Sequence, residues 1–173
     1  MHALIVGERG VGKSTLIGKV LQELGRSVSG YETKKEDALA DAAHGIPVYI
    51  YEAGTCHRQS EENLLGYCRD WNITVCAEAF DRYADKIAGQ KAGDIIKLDE
   101  IGFMETKSEA FCRMIMEMLD GSTPVIAAVK NKEIPFLEAV RTHPNARCFQ
   151  ITEDNRDVLY EEVLTFMKEQ LEE

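Results

Sequence analysis

The 173-residue sequence predicts an α/β fold: a mainly parallel sheet with helices on both faces, in one domain over residues 1–173. Short apolar runs alternate with helically spaced apolar stripes along the chain, which is the signature of strand–helix–strand units. The run at residues 2–6 leads through a glycine-rich loop into such a stripe. A second run, Ile95-Ile96-Lys97-Leu98, ends in paired carboxylates, Asp99-Glu100.

His2 to Val6 reads as a buried parallel strand. Leu16, Ile17, Val20, Leu21 and Leu24 follow at helical spacing, and Gly25 supplies the stop. Ser27 to Tyr31 reads as a second strand before a charged turn at Lys34 to Asp37, and Ala38 to Ala43 is ambiguous. Pro47 to Tyr51 alternates like a strand, with Pro47 suited to an edge. Residues 54–72 are polar and weakly periodic, and read as loop with a short helix. Cys76 to Ala88 sets Phe80, Tyr83, Ala84 and Ile87 on one face of a helix. Asp94 to Leu98 is a strand, and Phe111, Ile115, Met118 and Leu119 mark a helix closed by Gly121. Pro124 to Val129 is a buried strand, Ile134 to Val140 a short helix and Arg147 to Ile151 the last strand. Val158, Leu159, Val163, Phe166 and Met167 stripe a final helix.

Composition bounds the function. An apolar share of 45% with no run near ~20 apolar residues predicts a globular protein that neither spans nor anchors in a membrane. A net charge of −10 argues against general nucleic-acid binding, which needs a basic face. The first strand begins almost at Met1, so no signal or transit peptide is expected. Five cysteines without a C-x-x-C pair read as reduced thiols, and the predicted location is cytoplasmic. Cys56-His57 with Cys68 and Cys76 fits no zinc-knuckle or ribbon spacing.

Gly7-Glu8-Arg9-Gly10-Val11-Gly12-Lys13-Ser14 matches G-x-x-x-x-G-K-[ST], the phosphate-binding loop (Walker A) of nucleoside-triphosphate proteins. Glycines let backbone N–H groups turn inward around a polyphosphate, and the helix behind the loop adds its positive end. In this pattern Lys13 reaches the β- and γ-phosphates and the Ser14 hydroxyl ligates Mg²⁺. Asp99, at the end of its strand in the Walker B position, is expected to share that Mg²⁺. Glu100, next in line, suits a base that orients and deprotonates water. Lys97 interrupts an apolar strand, so it is expected near a sheet edge or beside a carboxylate.

Two other functions fit part of the pattern. Asp99-Glu100-Ile101-Gly102 also spells the D-x-x-G of a guanine-nucleotide switch and Asn131-Lys132 begins an N-K-x-D, but Ile134 stands where the base-reading carboxylate belongs. A nucleotide or small-molecule kinase would want an arginine-rich lid, which no stretch supplies, although residues 54–75 leave room for an acceptor site.

Gly7 to Thr15, Gly30-Tyr31-Glu32-Thr33, Asp99 to Glu105 and Thr152 to Asp157 occur in the order seen in the small nucleoside-triphosphatases first defined in thermophiles, a family that includes a human cancer-related member. The chain resembles that family from end to end. The resemblance implies a domain of the RecA-like branch, with an additional strand and a catalytic Glu. It also implies Mg²⁺-dependent hydrolysis of ATP, GTP and other nucleoside triphosphates with little base preference. By the same resemblance, Gly7, Glu8, Arg9, Gly10, Val11, Gly12, Lys13, Ser14, Thr15, Asp99 and Arg156 contact the nucleotide or its metal, Ser14 and Asp99 hold Mg²⁺, and Lys13 and Glu100 act in catalysis. Two basic residues usual in the family are missing: Phe103 stands in place of a Lys, and Gly45-Ile46-Pro47 offers none. Slow hydrolysis is therefore expected, with Arg9, Lys130 and Arg156 as candidates to compensate and a regulating protein partner compatible with such a rate.

Overall fold

The computed structural model describes residues 1–70 and 72–172; Trp71, within the stretch expected to be loop, lies outside them. Strand β1 (His2–Gly7) is buried along its whole length. Its side chains alternate between two cores: Leu4 and Val6 enter one, Ala3 and Ile5 the other. In β7 (Val125–Lys130), Val125, Ala127 and Val129 take the first side, Ile126 and Ala128 the second. Both faces of the sheet are therefore covered, which is why these strands read as continuous apolar runs.

Helices α2 (Ala77–Ala88), α3 (Glu109–Asp120) and α4 (Pro135–Arg141) close the first face. Phe111 of α3 is wedged edge-on against Phe80 and Tyr31, with ring centroids 5.0 Å apart in both pairs. Contacts of this kind add about 0.5–1.5 kcal/mol each beyond simple burial. The Ser108 side chain accepts the Phe111 N–H and caps α3. Helices α1 (Lys13–Leu24) and α5 (Arg156–Glu172) close the second face through Leu16, Ile17, Val20, Leu159, Val163 and Met167. Val158 does not join that stripe. It is 65% exposed, because the 100° advance from Leu159 turns it away from the face that Leu159, Val163, Phe166 and Met167 share.

Among the described residues eight strands form one sheet in the order β5 (Asn72–Val75), β4 (Leu64–Arg69), β3 (Ile46–Glu52), β2 (Val28–Lys35), β6 (Ile95–Ile101), β7, β1, β8 (Ala146–Gln150). From β2 to β8 neighbouring strands are parallel, while β3, β4 and β5 extend the sheet antiparallel beyond β2. Strand β7 stands between β1 and β6, which is the additional strand of the RecA-like branch.

Three local expectations are corrected. Residues 64–69, expected as loop, form a strand, and a further strand at 72–75 starts on the last residue of that expected loop. Gly66 lies so close to Thr74 that a Cβ would stand 1.9 Å from its carbonyl oxygen, so a glycine required by strand contact hides the strand pattern. Lys34 and Lys35 are not a turn but the end of β2, paired with Tyr49 and Val48. Strand β3 is interior rather than an edge: Pro47 sits opposite Tyr67 of β4, and its carbonyl accepts the Glu36 N–H at 3.0 Å.

Candidate active site

The carboxyl ends of the parallel strands converge on one crevice, where such sheets bind ligands. The loop from Gly7 to Ser14 leaves β1 with Gly10 and Gly12 in left-handed conformations, at φ 78° and 103°. Among the described residues no side chain caps α1, and its first turn holds no acidic residue. Its first N–H groups are thus unclaimed by any side chain and suit an anion. The Lys13 ammonium is buried and donates to the carbonyls of Gly7 at 2.9 Å and Glu8 at 2.8 Å. The Arg156 guanidinium crosses from α5 and donates through Nε to the Val11 carbonyl at 2.8 Å, bracing the loop from outside. Among the described residues it forms no salt bridge. Asn155, just before α5, accepts the Thr152 N–H with its side chain and donates to the Gln150 carbonyl, fixing the approach to the helix.

Residues 85 positions apart meet at the next point. Ser14 Oγ donates to Asp99 Oδ1 at 2.8 Å, at the end of β6. Burial pushes the Asp99 carboxyl above the usual carboxylate range, against the opposing charge of Lys97 and the Ser14 bond. Lys97 lies mid-sheet, not at an edge, and finds its carboxylates: it pairs with Glu32 and stands 3.6 Å from Asp99 Oδ2. Burial opposes ionisation of Glu32, yet bonds from Lys97 and His57 outweigh it and hold this carboxyl below its ordinary value. His57 also stacks on Tyr51, with centroids 4.0 Å apart.

Glu100 is bracketed by two ammonium groups. Lys130 Nζ lies 3.0 Å from Oε1 and Lys13 Nζ 3.6 Å from Oε2. Its backbone is held by β2: the Glu100 N–H donates to Thr33 Oγ1 at 3.3 Å, and the Tyr31 hydroxyl donates to the Glu100 carbonyl at 3.3 Å. Just beyond, Glu105 is buried and accepts the Gly102 N–H at 2.8 Å; burial pushes its carboxyl up to about 7.

Cavities flank the loop on two sides. One of about 620 Å³ runs from Gly12 and Thr15 between α1 and α5, past Lys19, Arg156 and Tyr160. A smaller one of about 170 Å³ joins Arg9, Lys34, Lys35, Asp99, Glu100 and Lys130. Asp99 and Glu100 meet the loop through Ser14 and Lys13, and Arg156 reaches it from α5 through the Val11 carbonyl. Glu8 accepts from Asn131 at 3.3 Å, which ties Asn131 to the loop. The sequence reading missed Lys34, Lys35 and Tyr160 as site residues, and gave Thr33 no role. The Gly30–Thr33 block was the one signal pointing to that stretch.

Two oxygens from the chain, Ser14 Oγ and Asp99 Oδ1, converge where a divalent ion would sit beside the loop. Among the described residues no group of three or more His, Cys, Asp or Glu side chains could hold a metal. A site this sparse fits Mg²⁺, which keeps water and phosphate oxygens in its shell rather than an all-protein cage.

The loop, the acidic strand end and the strand between them define a P-loop nucleoside-triphosphate protein of the RecA-like branch. A family model described as NTPase matches residues 2–164, and the chain belongs to that family. It is similar to the nucleoside-triphosphatase THEP1 of Methanocaldococcus jannaschii, with 30% identity over 174 residues and 95% of each chain covered. It is also similar to the cancer-related nucleoside-triphosphatase homolog of Mus musculus, with 31% identity and 96% of each chain covered. Its fold matches the crystal structure of THEP1 from Aquifex aeolicus with a TM-score of 0.68 at 24% identity, over 96% of this chain and 98% of that one. No helix among the described residues is long and apolar enough to cross a membrane.

Proposed function

We propose that this chain is a nucleoside-triphosphatase that hydrolyses Mg²⁺-bound nucleoside triphosphates to the diphosphate and phosphate. The observation that carries the reading is the 2.8 Å bond from Ser14 to Asp99, which joins the phosphate loop to the acidic strand end. The backbone of residues 7–15 cradles the polyphosphate, and Lys13 turns from the Gly7 and Glu8 carbonyls to the β- and γ-oxygens. Ser14 and Asp99 would hold Mg²⁺, which would offset charge on the phosphate oxygens. Glu100 orients the attacking water and accepts its proton. The cavity past Thr15 and Tyr160 takes the nucleoside. Tyr160 lines that cavity, and contact with an aromatic ring is tolerant of base identity, which supports broad base use. The charge of −10 over the whole chain supports a small nucleotide rather than a nucleic-acid polymer as ligand.

A panel of ATP, GTP, CTP and UTP with Mg²⁺, followed by phosphate release without any acceptor, tests this. Release from all four is expected, at a rate that collapses on chelation. Release only when a hydroxylated acceptor is added would make the protein a kinase instead.

A further inference from the structure

Lys130 is the last residue of β7 and lies opposite Gly7, the first residue of the phosphate loop. Its backbone is fixed twice over, since its carbonyl accepts from Arg141 at 3.2 Å and from the Lys132 N–H at 3.0 Å. Its side chain runs across Gly102: a Cβ there would stand 2.8 Å from Lys130 Cδ and 3.3 Å from Nζ. A side chain at position 102 would push the lysine stem off this path. The path delivers the ammonium to Glu100, on the side opposite Lys13. Phe103, the nearest alternative, carries no charge, and Lys107 is engaged over its ring at 4.5 Å.

A Lys130–Glu100 pair made only for stability would be a poor investment of this position. Both side chains are about 30% exposed, at 31% and 28%, and pairs of this kind contribute about 0–1 kcal/mol. A weak pair is easily exchanged, and a triphosphate seated against Lys13 would bring its γ-phosphate beside the same carboxylate. The phosphate group as a whole, which carries more negative charge than the Glu100 carboxylate, then competes for the ammonium.

Resting on the hydrolase reading above, we propose that Lys130 is a further catalytic residue that exchanges Glu100 for a γ-phosphate oxygen. The exchange does two things. It places a cation on the phosphoryl group as charge redistributes in the transition state, and it frees Glu100 for the water. The water oxygen then forms its bond to the γ-phosphorus as the bond to the β,γ-bridging oxygen breaks. The electron pair of the broken bond leaves on the diphosphate, the water proton passes to Glu100 and later to solvent, and Lys130 transfers none.

The test compares Lys130→Met, Lys130→Gln, Lys130→Arg and Gly102→Ala with wild type. Affinities for ADP and for the β,γ-imido analogue of ATP are measured with Mg²⁺, alongside kcat. Lys130→Met and Lys130→Gln should lower kcat about 10²–10³-fold. They should also reduce the preference for the triphosphate analogue over ADP while leaving ADP affinity intact, which shows that the loop is folded. Lys130→Arg should recover part of both, and Gly102→Ala, by displacing the lysine stem, should lower both. An unchanged analogue-to-ADP ratio in Lys130→Met and Lys130→Gln overturns the proposal whatever happens to the rate. A wild type that prefers no triphosphate and releases no phosphate overturns instead the hydrolase reading on which it rests.

Discussion

Three side chains in the crevice have separable consequences. Removing the Lys13 ammonium deletes charge-assisted hydrogen bonds to phosphate, worth about 1.5–3 kcal/mol, so Lys13→Ala should weaken triphosphate binding roughly 10- to 100-fold. Equilibrium titration on the folded variant measures this, and unaltered affinity would remove Lys13 from the site. Glu100 is different, because it acts on water rather than on the bound ground state. Glu100→Gln should bind triphosphate about as wild type does and lose ~10²–10⁴ in kcat. Normal turnover would make Glu100 an acidic neighbour of Lys130 and nothing more. Asp99→Asn keeps an oxygen to accept from Ser14 and loses only the charge. It should raise the Mg²⁺ concentration needed for half-maximal phosphate release while leaving the sheet intact by circular dichroism.

At the scale of elements, the turn that follows β6 depends on a buried acid. The Glu105 carboxyl accepts the Gly102 N–H, and burial raises its pKa from 4.5 to about 7. A carboxyl raised in this way binds more protons folded than unfolded between those values, so stability falls as pH rises through the window. At 1.36 kcal/mol per pH unit, the full effect above pH 7 is about 3 kcal/mol. Glu105→Gln keeps an oxygen for Gly102 and has no proton to lose. Urea unfolding should therefore show its stability rising relative to wild type from pH 5 to 7.5, and a constant difference would dismiss the buried acid. The elements that read clearly from sequence are those whose apolar residues recur at a single period: β1, α1, α2, α3 and β7. Strands β4 and β5 did not, because Gly66 interrupts their alternation and much of β5 is exposed. The end of β2 is hidden for another reason. Lys34 to Asp37 carry charges that signal a turn locally, and only pairing with β3, more than ten residues on, makes Lys34 and Lys35 part of a strand. The loop and acidic pair of the site were legible because each is contiguous; Thr33, Lys34, Lys35 and Tyr160 reach the crevice only through strand order and helix docking.

At the scale of the molecule, the crevice ties together parts that are otherwise separate layers. Loop and α1 belong to one face of the sheet with α5, while Glu105 and α3 belong to the other, and β6 and β7 run between them. A ligand held by the loop, by Asp99 and by Arg156 therefore favours the whole native arrangement over the unfolded chain, which keeps none of these groups together. A ligand bound only by the native state stabilises it by about 2.7 kcal/mol at 100 times its Kd. For a chain of this length each kcal/mol raises the melting temperature by about 2–4 °C, so saturating Mg²⁺ and ADP should shift it upward by roughly 5–10 °C. Lys13→Ala should lose about half or more of that shift and Glu100→Gln should keep it, because the first removes a binding contact and the second a chemical one. Scanning calorimetry on the three proteins, with and without nucleotide, reads this directly. A wild type whose melting temperature ignores nucleotide would show that the loop does not hold it, and a Lys13→Ala variant shifted as far as wild type would place the nucleotide elsewhere on the molecule.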